Sequence, residues 1–343
     1  MVCLDEGGCG RRAIRLIAAP ASLQPGMRTC GRLAAMLLAA GSSAAQTDLG
    51  QQFQFESKLW PNLHHFLYVV ARARNGAPDR NRVAVRNAPL DLEGFDALPA
   101  DRRKIWDDAV EAYRIHAAPL DIGYGPLVDV NYAVADLPAG APLESEKEIP
   151  TELREALSKA APIYRDVWWP RHDAANQKWL RELRPLIERF GAKIVPQLVT
   201  AFQHPWPTGK LRVEIVAYAN FGGAYTTEDP PLTAMSSLDP EQQGTDALEE
   251  LFHECSHLMM GTIEATGKGL SRDVSHTILF YTVGEVLRRT VPDHVPYAIH
   301  HGVWQRGWTK NFEVLKLDWQ PYLDGKGTMN EALDKIVRSL ASQ

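Results

Sequence analysis

The stretch "LEELFHECSHLMMG", residues 248–261, constrains this chain more than any other. Residues four apart on a helix lie one turn apart on the same face, about 6 Å along the axis. His253 and His257 can therefore aim both imidazoles at one ion. Glu254 projects about 100° round the helix, beside such an ion rather than onto it. From there it can take a proton from a water molecule activated by the metal. Asp246 and Glu249 give a capping-box-like start, so a helix is expected from about Thr245 to Glu264. Leu251, Phe252, Leu258, Met259 and Met260 surround the motif. Burying two histidines and a glutamate among them without partners is costly, and a bound metal offsets that cost.

Zinc held by two histidines needs a third protein ligand and keeps a fourth position for water. Met260 and Ile263 stand where the metzincin extension requires glycine and histidine, so that class is excluded. Three acids remain. Glu264 would project from the far end of the same helix, and Asp273 lies in the loop that follows. Glu285 is the lone acid in the apolar run "TILFYTVGEVLRR". An acid isolated on such a face needs a strong reason: a metal is one, a salt bridge to Arg288 or Arg289 another. Glu285 is the expected third ligand, with Asp273 the alternative.

From Gln51 to about Pro196 the apolar residues recur at three- and four-residue intervals, the period of amphipathic helices. "DIGYGPLVDVNYAVADLPAGAPLE" interrupts them and reads as loop with a short strand, and Gly191 reads as a helix C-cap. Near residue 193 the texture changes. "AKIVPQLVTAF" and "KLRVEIVAYAN" are rich in β-branched residues and read as strands, and "GGAYTT" and "PLTAMSS" read as two further short strands broken by the turn "EDPP". The expected fold is α+β and predominantly helical. A small mixed sheet and the histidine helix form the core, with a helical region ahead of them. The expected organisation is a signal region over residues 1–45, a helical region over 46–192 and a catalytic region over 193–343.

Strands, a helix carrying "HECSH", then a second helix offering a glutamate: this order resembles the zincin metallopeptidases of the gluzincin group. The resemblance spans roughly residues 193–290. Cys255, Ser256, Leu258 and Met259 fit the wider zincin pattern, while Glu250 departs from it. The resemblance implies a Zn2+ cofactor and a strand at the cleft edge that pairs with an extended peptide. By order, that strand is "FGGAYTT", with Gly222, Gly223, Ala224 and Tyr225 as substrate-binding candidates. Main-chain pairing of this kind gives affinity without much sequence selectivity. The resemblance further implies an oxyanion-stabilising Tyr or His beyond the third ligand. Tyr297 is the first candidate, with His300 and His301 behind it; Tyr281, one turn before Glu285 on the same helix face, is another.

From Met27, "MRTCGRLAAMLLAAGSSAAQTD" has the form of a secretory signal: Arg28 and Arg32, a short apolar run, then small residues before Gln46. Asp5 and Glu6 fit poorly ahead of it, so translation is expected to start at Met27. Cys3, Cys9 and Cys30 lie upstream of the cleavage site, leaving Cys255 alone and excluding an internal disulfide in the mature chain. The net charge of −5 gives no support to nucleic-acid binding. No stretch reaches the roughly 18 apolar residues that a membrane span needs. The expectation is a secreted or periplasmic zinc metallopeptidase acting on a peptide or protein substrate, with Glu254 as its base. The alternative from another class is a non-catalytic periplasmic metal-binding or scaffold protein with a zincin-like fold.

Overall fold

In the computed structural model, which describes residues 49–74 and 90–342, one turn of helix α1 (Leu49–Gln52) leads into β1 (Phe53–Glu56). Five helices follow: α2 (Leu59–Arg74), α3 (Ala100–His116), α4 (Pro126–Ala135), α5 (Thr151–Val167) and α6 (Trp169–Phe202). Then come β2 (Leu211–Val216), β3 (Ala224–Glu228) and β4 (Pro231–Ser236). After them stand α7 (Gly244–Ser256), α8 (Gly261–Thr266) and α9 (Arg272–Thr290). The chain closes with α10 (Tyr297–His300), α11 (Thr309–Val314), α12 (Gln320–Leu323) and α13 (Met329–Ala341). The α+β expectation holds: the protein is mostly helical around one small mixed sheet. The signal segment and the Met27 start lie outside the described residues. No helix among the described residues is long and apolar enough to cross a membrane.

The sheet has the order β1-β2-β4-β3, with β1, β2 and β4 parallel and β3 antiparallel at the edge. Successive side chains on a strand face opposite ways, and both faces are covered here. Val213, Ile215, Ala224 and Met235 join a core shared with α6, α7 and α9. Tyr225 and Ala234 join a second core built on α2, α3 and α5. Most of the tryptophans serve these cores, with Trp106, Trp168 and Trp319 fully buried.

Three expectations about the elements are corrected. "AKIVPQLVTAF" is not a strand but the last third of α6. Phe190, Ile194, Leu198, Ala201 and Phe202 are buried along it, a helical spacing that outweighs the β-branched content. Gly191 is not a cap either. A Cβ there would lie 2.8 Å from Leu49 Cδ1, so the glycine lets α1 pack close. α6 crosses residue 192, and β1 from the region before it pairs with β2 from the region after it, so the two regions share a helix and a sheet. The loop assigned ahead of residue 136 contains α4, started by Pro126 and buried through Leu127, Val130 and Val134.

His64 and His65 on α2 lie fully buried in the second core. Burial drives His64 well below its ordinary pKa and takes His65 down to about 4. A neutral imidazole suits the His65 site: Nδ1 meets the Pro61 carbonyl at 2.7 Å and Nε2 meets the Tyr225 hydroxyl at 3.0 Å. The unfolded chain takes up a proton below pH 6.5 and the native site resists it to about pH 4, so stability is lost as pH falls through that window. The expected contribution of His65 is on the order of 2–3 kcal/mol. Urea midpoints at pH 7 and pH 4.5 for wild type and His65→Gln will check it; equal pH slopes would refute it.

Candidate metal centre

Helix α7 starts at Gly244 and ends at Ser256, after which His257–Met259 tighten into a single 3-10 turn. The continuous helix expected to Glu264 is therefore broken before α8. The break leaves the pair intact: the His253 and His257 rings face each other at 5.1 Å, nearly perpendicular. Nor does a capping box open α7. Asp246 turns toward His300 and His301, and Glu249 is buried against His294 Nε2 at 2.5 Å and the Tyr297 backbone N–H at 2.8 Å.

The third group beside the pair is His276, one turn into α9. One ring nitrogen from each of His253, His257 and His276 lies within 4.8 Å of the other two, so the three could hold a metal ion. His253 Nε2 and His276 Nε2 stand 3.2 Å apart. Two nitrogens each 2.0–2.1 Å from a tetrahedral ion are separated by about 3.4 Å, so the observed spacing needs little adjustment.

Burial lowers the pKa of all three histidines. His253 is driven well below its ordinary value, and the neighbouring His257 and His276 add to the effect. His257 falls to about 3 and His276 to about 4, each from burial first and then from nearby positive charge. Neutral imidazoles with open lone pairs are what a cation requires. His253 is buried while His257 and His276 are half-buried, which leaves the cluster open on one side.

Two further observations test the fit. Among the described residues, Glu254 Oε2 is buried without a hydrogen-bond partner, a costly state in a site with no further occupant. Glu254 lies 4.0 Å from His257 Nε2, and burial pushes its pKa up to about 7 against a hydrogen bond from Thr226. Thr226 belongs to edge strand β3, and its hydroxyl is 2.9 Å from that of Thr233 on β4. The donor set and its protonation fit a metal ion. Phe280 closes one wall, its ring 4.0 Å from that of His253, and Trp308 packs against His276.

The expected third ligands are elsewhere. Glu285 accepts from Arg288 at 2.6 and 2.7 Å and from Arg289 at 2.8 Å. Burial opposes its charge, but these guanidiniums prevail and hold its pKa below the usual value. Nine residues past His276 on the same helix, it sits about 13 Å along the axis and half a turn round, facing away. Asp273 and Glu264 are exposed and stand outside the cluster.

The other candidates are likewise redirected. Tyr297 is buried and donates from its hydroxyl to Glu241 at 3.4 Å, at the opposite end of α7. Tyr281 donates to Gln320. Gly222 and Gly223 precede β3. At Gly223 the φ is +89° and a Cβ would lie 2.4 Å from Gln242 Nε2, so what approaches that glycine closely is the chain itself. Ala224 is buried under α7, and Tyr225 points through the sheet to His65. What remains for a ligand is the outer edge of β3, which has β4 as its one strand partner among the described residues.

His276 was missed because only carboxylates were weighed downstream of His257. It is the sole histidine between His257 and His294, which is the signal that could have found it. No protein-family model, curated protein or solved structure matched this chain.

Proposed function

We propose that this chain is a secreted or periplasmic zinc-dependent hydrolase that cleaves peptide bonds, similar to the zincin metallopeptidases but with His276 in place of a downstream glutamate. The observation that carries the reading is the convergence of three neutral histidines beside a buried carboxylate, Glu254, one oxygen of which has no hydrogen-bond partner among the described residues. The antiparallel edge strand β3, whose Thr226 bonds Glu254, adds support, because it can align an extended substrate next to the base.

His253, His257 and His276 would hold the ion. When bound, it would supply the Lewis acidity that activates water near neutral pH and polarises a carbonyl. Glu254 accepts the proton from water and delivers it to the leaving nitrogen. Its raised pKa suits it to both roles near neutrality. Thr226 holds that carboxylate toward the cleft, and the main chain of β3 positions the substrate. Phe280 and Trp308 exclude water from one side.

The test is a peptide-library digest with the mature chain from Gln46, loaded with zinc. Cleavage is expected, with loss on chelation and recovery when zinc is restored. A zinc-loaded protein that leaves every peptide intact would favour the non-catalytic metal-binding alternative.

A further inference from the structure

We propose that Asp246, His300 and His301 form a second site for a divalent transition-metal ion, separate from the three-histidine centre. Asp246 Oδ2 lies 3.0 Å from His300 Nδ1 and 2.9 Å from His301 Nε2. The three potential ligand atoms all fall within 4.8 Å of one another. The two rings, 4.3 Å apart, reach one carboxylate oxygen through opposite nitrogens, although they are consecutive in sequence.

The surroundings have the form of a ligand shell. The second nitrogen of His301, Nδ1, faces Glu241 Oε1 at 3.9 Å. At that distance Glu241 is a charge neighbour of His301 rather than a hydrogen-bond partner, and it favours a cation nearby. Glu241 is itself held by the Tyr297 hydroxyl at 3.4 Å and faces Arg306 at 3.9 Å. The histidine-bearing segment is fixed by the Tyr297 N–H on buried Glu249, and Asp246 rides on the first turn of α7. His300 is exposed, which gives an ion access from solvent.

Two imidazoles and a carboxylate select zinc, nickel or copper over magnesium or calcium, which prefer all-oxygen sets. Asp246 stands seven residues before His253, about 10 Å along the helix. Bridged catalytic metal pairs lie about 3.5–4 Å apart, so the two ions would not share a substrate. The second ion would tie the first turn of α7 to the segment that follows α9, fixing the helix that presents His253.

The experiment is equilibrium dialysis of the chelator-stripped mature chain against Zn2+, with bound zinc counted by elemental analysis. Wild type is expected to bind two ions. H300Q/H301Q is expected to bind one, as is H253A/H276A, and the quadruple variant none. Zn2+ should also raise the melting temperature of H253A/H276A, and that rise should vanish in the quadruple variant. Wild type and H300Q/H301Q binding the same number of ions with equal affinity would overturn the proposal. Failure of the three-histidine reading would appear differently, as H253A/H276A binding as many ions as wild type. Circular dichroism of the metal-free variants checks that they fold; a misfolded H300Q/H301Q is replaced by D246N, for which the same loss of one ion is required.

Discussion

His276→Ala is expected to weaken zinc binding at the three-histidine centre by more than about a hundredfold, whereas Glu285→Ala is expected to leave it unchanged. Losing a group that merely orients a ligand costs 10–100-fold in affinity, and losing a ligand should cost more. Glu285 is bound to Arg288 and Arg289 on the far side of α9, so its removal should cost only about 1 kcal/mol of stability. The figure is small because both arginines reach solvent and can be rehydrated. Competition with a chromophoric chelator on H300Q/H301Q background protein reads this centre alone. The reverse pattern, zinc lost with Glu285 and kept without His276, would mean that α9 rotates on metal binding and that the site is of the gluzincin kind.

The second large effect concerns the base. Glu254→Gln should retain zinc at wild-type affinity yet lower kcat for peptide hydrolysis by about 10²–10⁴-fold, the usual contribution of a positioned general base. The amide is nearly the same size as the carboxylate and can keep a hydrogen bond with Thr226, so KM should change little. A fall in KM affinity without a fall in kcat would remove Glu254 from the proton path. A variant that hydrolyses as fast as wild type would sink the mechanism.

The local features of the site were legible in the sequence. The four-residue spacing of His253 and His257 needs only helical geometry, and the 3-10 turn that follows does not disturb it. The strands around residues 211–236 were announced by alternation and by the Pro-rich turn "EDPP". The last third of α6 was misjudged because β-branched residues weigh toward strand locally. Burial of one face against α9 and the sheet overrides that preference.

What the sequence by itself determined is the chemistry within one turn: two imidazoles and a carboxylate beside them, with His253 and Glu254 on a helix and His257 just past its end. Only the tertiary structure decided which group joins the histidine pair and the fate of the remaining acids. His276, Asp273 and Glu285 share one short stretch, and their order says nothing about which of them faces α7. That depends on the rotation of α9 about its own axis. The rotation is set by Ile278, Leu279, Val283 and Leu287, which are buried in the core shared with α6 and α7. With those four turned inward, His276 meets His253, and Glu285 is left to its arginines.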